Sequence, residues 1–141
     1  MSLILDGSSG TTGNLANGDL QVNGVTVGKG GGTIATNTIV GASALVSDTT
    51  GAENTALGNF ALTSNTTGDD NTAVGYRALN NNTSGINNVT VGAQSLRLNT
   101  SGGYNTAVGC QAAYNNTTGS SVTAVGYLAA MSSTTANQVT A

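Results

Sequence analysis

NTAVGYRALNNNTSGIN, residues 71–87, is the stretch on which the reading of the whole chain turns. The same pattern stands at residues 54–70 as NTALGNFALTSNTTGDD and again at residues 105–121 as NTAVGCQAAYNNTTGSS. A glycine keeps its phase at Gly41, Gly58, Gly75, Gly92, Gly109 and Gly126. A threonine keeps its own at Thr49, Thr66, Thr83, Thr100, Thr117 and Thr134. A second glycine recurs at Gly51, Gly68, Gly85, Gly102 and Gly119, and becomes Ala136. The six copies are residues 37–53, 54–70, 71–87, 88–104, 105–121 and 122–138, without an insertion or deletion. A fixed period of this length makes each copy one structural unit that stacks on its neighbours.

Within the unit, the first four residues suit a short strand and the following glycine a sharp bend. The Ala-Leu pair suits a second short strand, and Asn-Thr-Thr-Gly is turn chemistry. Two short strands and two bends make one coil of a β-solenoid. A helical repeat would need a longer apolar stripe and fewer Gly and Asn. Coils stacked at about 4.8 Å place like residues on like. Val40, Leu57, Val74, Val91, Val108 and Val125 then form one aliphatic column. Leu45, Leu62, Leu79 and Leu96 form another, thinning to Ala113 and Ala130. Asn37, Asn54, Asn71, Asn88 and Asn105 are placed for an amide ladder along the axis.

Composition narrows the function. The chain has 141 residues, 21 Gly, no Pro, no Trp, no His and only 6% charged residues, with net charge −3. Three cations, Lys29, Arg77 and Arg97, are too few to neutralise a phosphate backbone, so no nucleic acid is expected. No apolar run is long enough to span a bilayer, and no basic start precedes an apolar core. Neither a membrane span nor a signal peptide is therefore expected. Cys110 has no partner for an intrachain disulfide and no His to activate it; it reads as a small buried or half-buried side chain. The fixed phase argues against the disorder that low complexity alone would suggest.

Outward from the repeats, residues 1–36 form an N-terminal segment. Residues 1–6 read as a short strand with Leu3 and Leu5 on one face, and residues 7–18 as a polar loop. In residues 19–28, DLQVNGVTVG, Asn23-Gly24 suits a two-residue hairpin turn. Leu20, Val22, Val25 and Val27 then share one apolar face. A hairpin is marginal alone, so this face has to pack on something. Leu3, Leu5, Leu20, Val22, Val25 and Val27 are therefore the candidate attachment residues. The glycine-rich residues 28–32 form a hinge or close-approach segment and lack the spacing of a phosphate loop. Residues 139–141 form a tail.

A coil this poor in large apolar residues gains if its thin greasy side is buried against copies of itself, and cyclic symmetry supplies that surface. The fold expected is all-β: a homotrimeric β-solenoid, either a β-roll or a triangular β-prism, with an N-terminal hairpin adaptor. Spacing leaves open whether each chain coils by itself or three chains interlace.

The array resembles the NTAVGYxALxxNTTGxx repeats of tail-fibre and related virion proteins of tailed bacteriophages, most closely over residues 54–121. NGVTVGKGGG, residues 23–32, is similar to the segment that leads into such arrays, and LILDGSSGTTG, residues 3–13, to the opening of small phage fibre proteins. A more distant similarity is to the head repeats of trimeric autotransporter adhesins. The resemblance implies a virion structural protein on the exterior of the particle, trimeric, with no cofactor. It implies a capsid decoration (cement) protein or short head fibre, seated on the major capsid protein through residues 1–36. The alternative is a short tail-fibre component held by a tail or baseplate protein. A host surface glycan is a further possible partner.

Other classes fare worse. The carboxylates are Asp6, Asp19, Asp48, Glu53, Asp69 and Asp70, and only the last two adjoin, on what reads as a solvated turn; no catalytic or metal-binding residue is assigned. An ice-binding solenoid would want two columns two positions apart on one strand, whereas Thr49 and Thr50 are adjacent. The Asn-x-Ser/Thr triplets at Asn65 and Asn99 match glycosylation acceptors but read as turn residues.

Overall fold

The computed structural model describes residues 19–32 and 34–141. Its strands are β1 (Leu20–Val22), β2 (Val25–Gly28), β3 (Thr38–Gly41), β4 (Thr55–Leu57), β5 (Thr72–Val74), β6 (Val89–Val91), β7 (Thr106–Val108) and β8 (Thr123–Val125). They form one sheet in chain order. β1 and β2 are the expected hairpin, with Leu20 opposite Val27 and Val22 opposite Val25. Asn23 and Gly24 take φ of 48° and 80°, as the tight turn requires. β2 pairs antiparallel with β3. From β3 onward every pairing is parallel, and the register step is one full repeat each time. The coil therefore closes within a single chain, as a β-solenoid.

Only one side of each coil is a strand. The Ala-Leu leg, expected as a second strand, turns left-handed instead: φ is 60° at Phe60, 50° at Leu62, 54° at Arg77 and 50° at Leu79. A bulky residue in that region costs about 1 kcal/mol or more, and such residues persist only where surrounding contacts over-determine them. Here the contact is the next rung. Leu45 N donates to Ala61 O (3.0 Å), Leu62 N to Ala78 O (3.1 Å) and Leu79 N to Ser95 O (3.0 Å). The threonine corner is bonded likewise, Thr66 N to Thr83 O (3.0 Å) and Thr83 N to Thr100 O (2.8 Å), with each Oγ1 donating to the same carbonyl. Every side of the coil thus sends backbone hydrogen bonds to a neighbouring rung, while the bends also close on themselves, as Ala61 N does on Gly58 O and Asn65 N on Leu62 O.

The core is narrow. Its apolar part includes Ile39, Ala56, Ala73, Ala107 and Ala124 from the strands, Leu45, Leu62, Leu79, Leu96 and Ala113 from the opposite leg, and Val122. Two stacks of buried amides complete it. In the stack expected from sequence, Asn71 Nδ2 donates to Asn54 Oδ1 (3.2 Å) and Asn88 Nδ2 to Asn71 Oδ1 (3.0 Å), and each amide also spans the coil to a glycine carbonyl. The second stack, Asn65, Asn82, Asn99 and Asn116, comes from the Asn-Thr-Thr-Gly turn and is fully buried. Asn82 Nδ2 donates to Asn65 Oδ1 (2.8 Å) and to Gly85 O (2.9 Å). One side chain therefore closes its own turn and ties two rungs. Among the described residues, Arg97 Nε is the one buried side-chain polar atom without a partner, so this polar core is satisfied almost throughout.

Both ends differ from the middle. In the second stack every amide donates toward the N-terminal rung, so the first member would carry a donor with no ladder acceptor. Asp48 stands there instead. Its carboxylate accepts from Asn65 Nδ2 (3.2 Å), Gly51 N (3.1 Å) and Asn37 Nδ2 (3.0 Å). Asp19 fixes the approach to the first rung, accepting from Lys29 N (2.6 Å) and Gly30 N (3.0 Å). Of the two readings of residues 28–32, hinge or close approach, Gly30 and Gly31 show close approach. Gly31 N donates to Leu45 O (2.9 Å), and a Cβ at Gly31 would collide with Val46 O. Residues 139–141, expected as a tail, keep the lattice phase: Thr140 bridges Thr123 in parallel, beginning another rung.

Candidate functional site

Alternation along a three-residue strand decides which columns face outward. The central residue points in, and the residues either side point out. Val40, Leu57, Val91 and Val125 are 37%, 46%, 40% and 60% exposed, so this aliphatic column lies on the outside. The core instead takes the middle residue of each strand, Ala on four of them, with Ile39 and Thr90 buried in the same column. The hairpin extends the outer column. Val27 is the register partner of Val40 on one side and of Leu20 on the other, and directly opposed residues share a face. One strip therefore runs Leu20, Val27, Val40, Leu57, Val74, Val91, Val108, Val125 across all eight strands. At about 4.8 Å per strand it is roughly 34 Å long.

Beside it, two positions back on each strand, runs a second outer column: Thr38, Thr55, Thr72, Val89, Thr106 and Thr123. No strand from β3 to β8 contains a charged residue. Charges gather elsewhere. Glu53, Asp69 and Asp70 are exposed at the corner that leads into the strands. Glu53 sits above the usual carboxyl range because Asp70 hydrogen-bonds and repels it. Arg77 lies over the rings of Phe60 (5.4 Å) and Tyr76 (5.2 Å).

Of the candidate attachment residues, Leu3 and Leu5 lie outside the described residues. Leu20 and Val27 join the strip. Val25, 40% exposed, pairs with Val22 next to the hairpin turn. Cys110, expected buried or half-buried, is exposed, because the position after the bend glycine points away from the coil. Asn65 and Asn99 are fully buried, which closes them to modification in the folded chain. Among the described residues, no three His, Cys, Asp or Glu side chains are grouped to hold a metal, and no helix is long and apolar enough to cross a membrane. A cleft of about 230 Å³ lies between hairpin and first rung, lined by Asp19, Thr26, Ile39 and Val46 among others.

No family model, curated protein or solved structure matches the chain.

Sequence reasoning missed the roles of Asp48 and of the Asn65 stack. The signal for Asp48 was present: the first copy carries Asp where the next four carry the Asn of Asn-Thr-Thr-Gly. The outward turn of the Val column had a signal too, since Thr-Ala-Val alternates with Ala at its centre.

Proposed function

We propose that the chain is a structural protein of a tailed-bacteriophage virion: a homotrimeric capsid decoration protein or short head fibre, held at its hairpin end, with the solenoid projecting. The observation that carries this reading is the pairing of a rigid, internally bonded coil with a long uncharged apolar strip on its outside. Such a coil has the form of a spacer or clamp. Its side chains of chemical interest are either tied into the core, as Asp48 is, or spread along exposed corners, as Glu53 and Asp70 are. The repeat's resemblance to phage fibre arrays supplies the setting. A clamp of this kind works by contact area and by multivalent engagement of a repeated lattice.

Location is the test. An antibody raised against the purified protein should label intact virions on the outside of the capsid. Label confined to the tail would favour the tail-fibre alternative, and unlabelled particles would overturn the virion role.

A second reading has a specific observation behind it. The Thr and aliphatic columns stand two positions apart on each strand, a rectangular array of about 4.8 by 7 Å. That is the two-column arrangement an ice-binding face needs, and it lies on the strands rather than at Thr49-Thr50. Thermal hysteresis in a solution of the protein would support this reading.

A further inference from the structure

We infer that the outer strip is the seam between copies of this chain, and that Leu20 and Val27 of the hairpin belong to that seam rather than to the contact with the particle. The inference rests on the homotrimeric part of the reading above and gives it an address.

Three observations carry it. The first is continuity: the strip crosses from the hairpin into the solenoid without a break, Leu20 to Val27 to Val40 to Leu57. A surface meant for two unrelated partners would not be built as one register-matched column. The second is area. The aliphatic column over roughly 34 Å and the Thr-rich column over about 24 Å, each about 7 Å wide, amount to some 400 Å². That is as large as the largest patch on a typical monomer, and about half of the roughly 800 Å² per partner of a stable two-body interface. A pair of copies joined by the strip alone would be weak. Copies arranged around an axis bury the strip and its flanks together. The third is periodicity. The strip repeats at the inter-strand spacing and carries no charge from β3 to β8. Parallel copies around a common axis set each aliphatic side chain at the height of its own equivalents, with no like charges brought together. A partner of another fold would have to reproduce that pitch over six strands.

The full-length chain in solution should have a light-scattering mass of three times 13.7 kDa. The double variant Val74→Glu with Val108→Glu places charges on the strip without touching the core. Its mass should fall to one third, with the circular dichroism spectrum of the parent. Thr67→Glu, exposed at the turn corner, should keep the parent mass. Should the double variant fail to fold, a cross-linking pair decides the matter. Val91→Cys in a Cys110→Ser background should form inter-chain disulfides on mild oxidation, and Thr67→Cys in that background should not. Retention of the parent mass by a folded double variant overturns the seam while leaving an oligomer. A parent that is monomeric overturns seam and trimer alike, and leaves the virion location to the antibody experiment. A monomer with thermal hysteresis assigns the face to ice.

Discussion

At the scale of single residues, the stack discriminates by direction and by space. Asn82 is bonded to the rung before it and closes its own turn, while its Oδ1 accepts from Asn99 Nδ2 (2.9 Å). Asn82→Ala should therefore destabilise by about 2–3 kcal/mol in a denaturant titration, since Asn65 Oδ1 loses its ladder partner in a dry site. Asn82→Asp should cost more at neutral pH, because a carboxylate cannot donate, and should recover in acid. Asp48 is tolerated because its place in the ladder requires only acceptors. Burial raises its pKa above the ordinary 3.8, against the lowering effect of Asn65, Gly51 and Asn37. The folded chain then holds this proton more tightly than the unfolded chain. The contribution of Asp48 to stability is fullest below the ordinary value and falls as pH rises through the raised one. Asp48→Asn should flatten that slope, seen as a smaller difference in Tm between pH 3.5 and pH 7. Space is tested at the bend. Gly75 has φ 134°, and a Cβ there would meet Gly92 O at 2.5 Å, whereas at Gly126, φ 131°, the nearest atom is Ala129 Cβ at 3.9 Å. Gly75→Ala adds strain and a clash that backbone cannot relieve; Gly126→Ala adds strain alone. The first should lower Tm by clearly more than the second.

At the scale of the element, the unit is the rung and its governing constraint is register. Thr55 pairs with Thr72 and Thr72 with Val89, each by the same step. Removing residues 71–87 joins Asp70 to Asn88 with every column in phase, so that deletion should give a folded, shorter solenoid with an unchanged circular dichroism band shape. Removing one residue fewer should not, because it breaks the amide stacks, the glycine bends and the Leu column at once. The Leu column sets the packing term within a rung. Leu79 is fully buried, and Leu79→Ala should cost about 2–4 kcal/mol. Ala113 occupies the same column naturally, next to the partly exposed Ala129 and Ala130, where the stack thins toward its end.

At the scale of the whole molecule, a narrow satisfied core leaves an aliphatic strip open on the outside of the coil. The core fixes the shape of one chain. The strip is what one chain cannot cover by itself. Because it carries no charge on β3 to β8, the association proposed through it should be insensitive to screening. The solution mass should be the same in 0.05 M and 1 M NaCl, where an assembly built on the Glu53–Asp70 corner and the Arg77 side would change.

The sequence by itself determined the repeat, its length, the solenoid, the hairpin turn at Asn23-Gly24 and one of the two amide stacks. Those follow from phase and from local turn chemistry, and a fixed period carries both without reference to anything distant in the chain. It did not determine which side of Thr-Ala-Val faces inward, nor that the Ala-Leu leg bends left-handed. Both depend on contacts with the neighbouring rungs, which are distant in sequence from the residues they position. Only in the folded stack do the carbonyls of Ala61 and Ala78 fall where Leu45 and Leu62 need acceptors, and only there is the middle residue of each strand, Ile39 and Thr90 as well as the alanines, held inside.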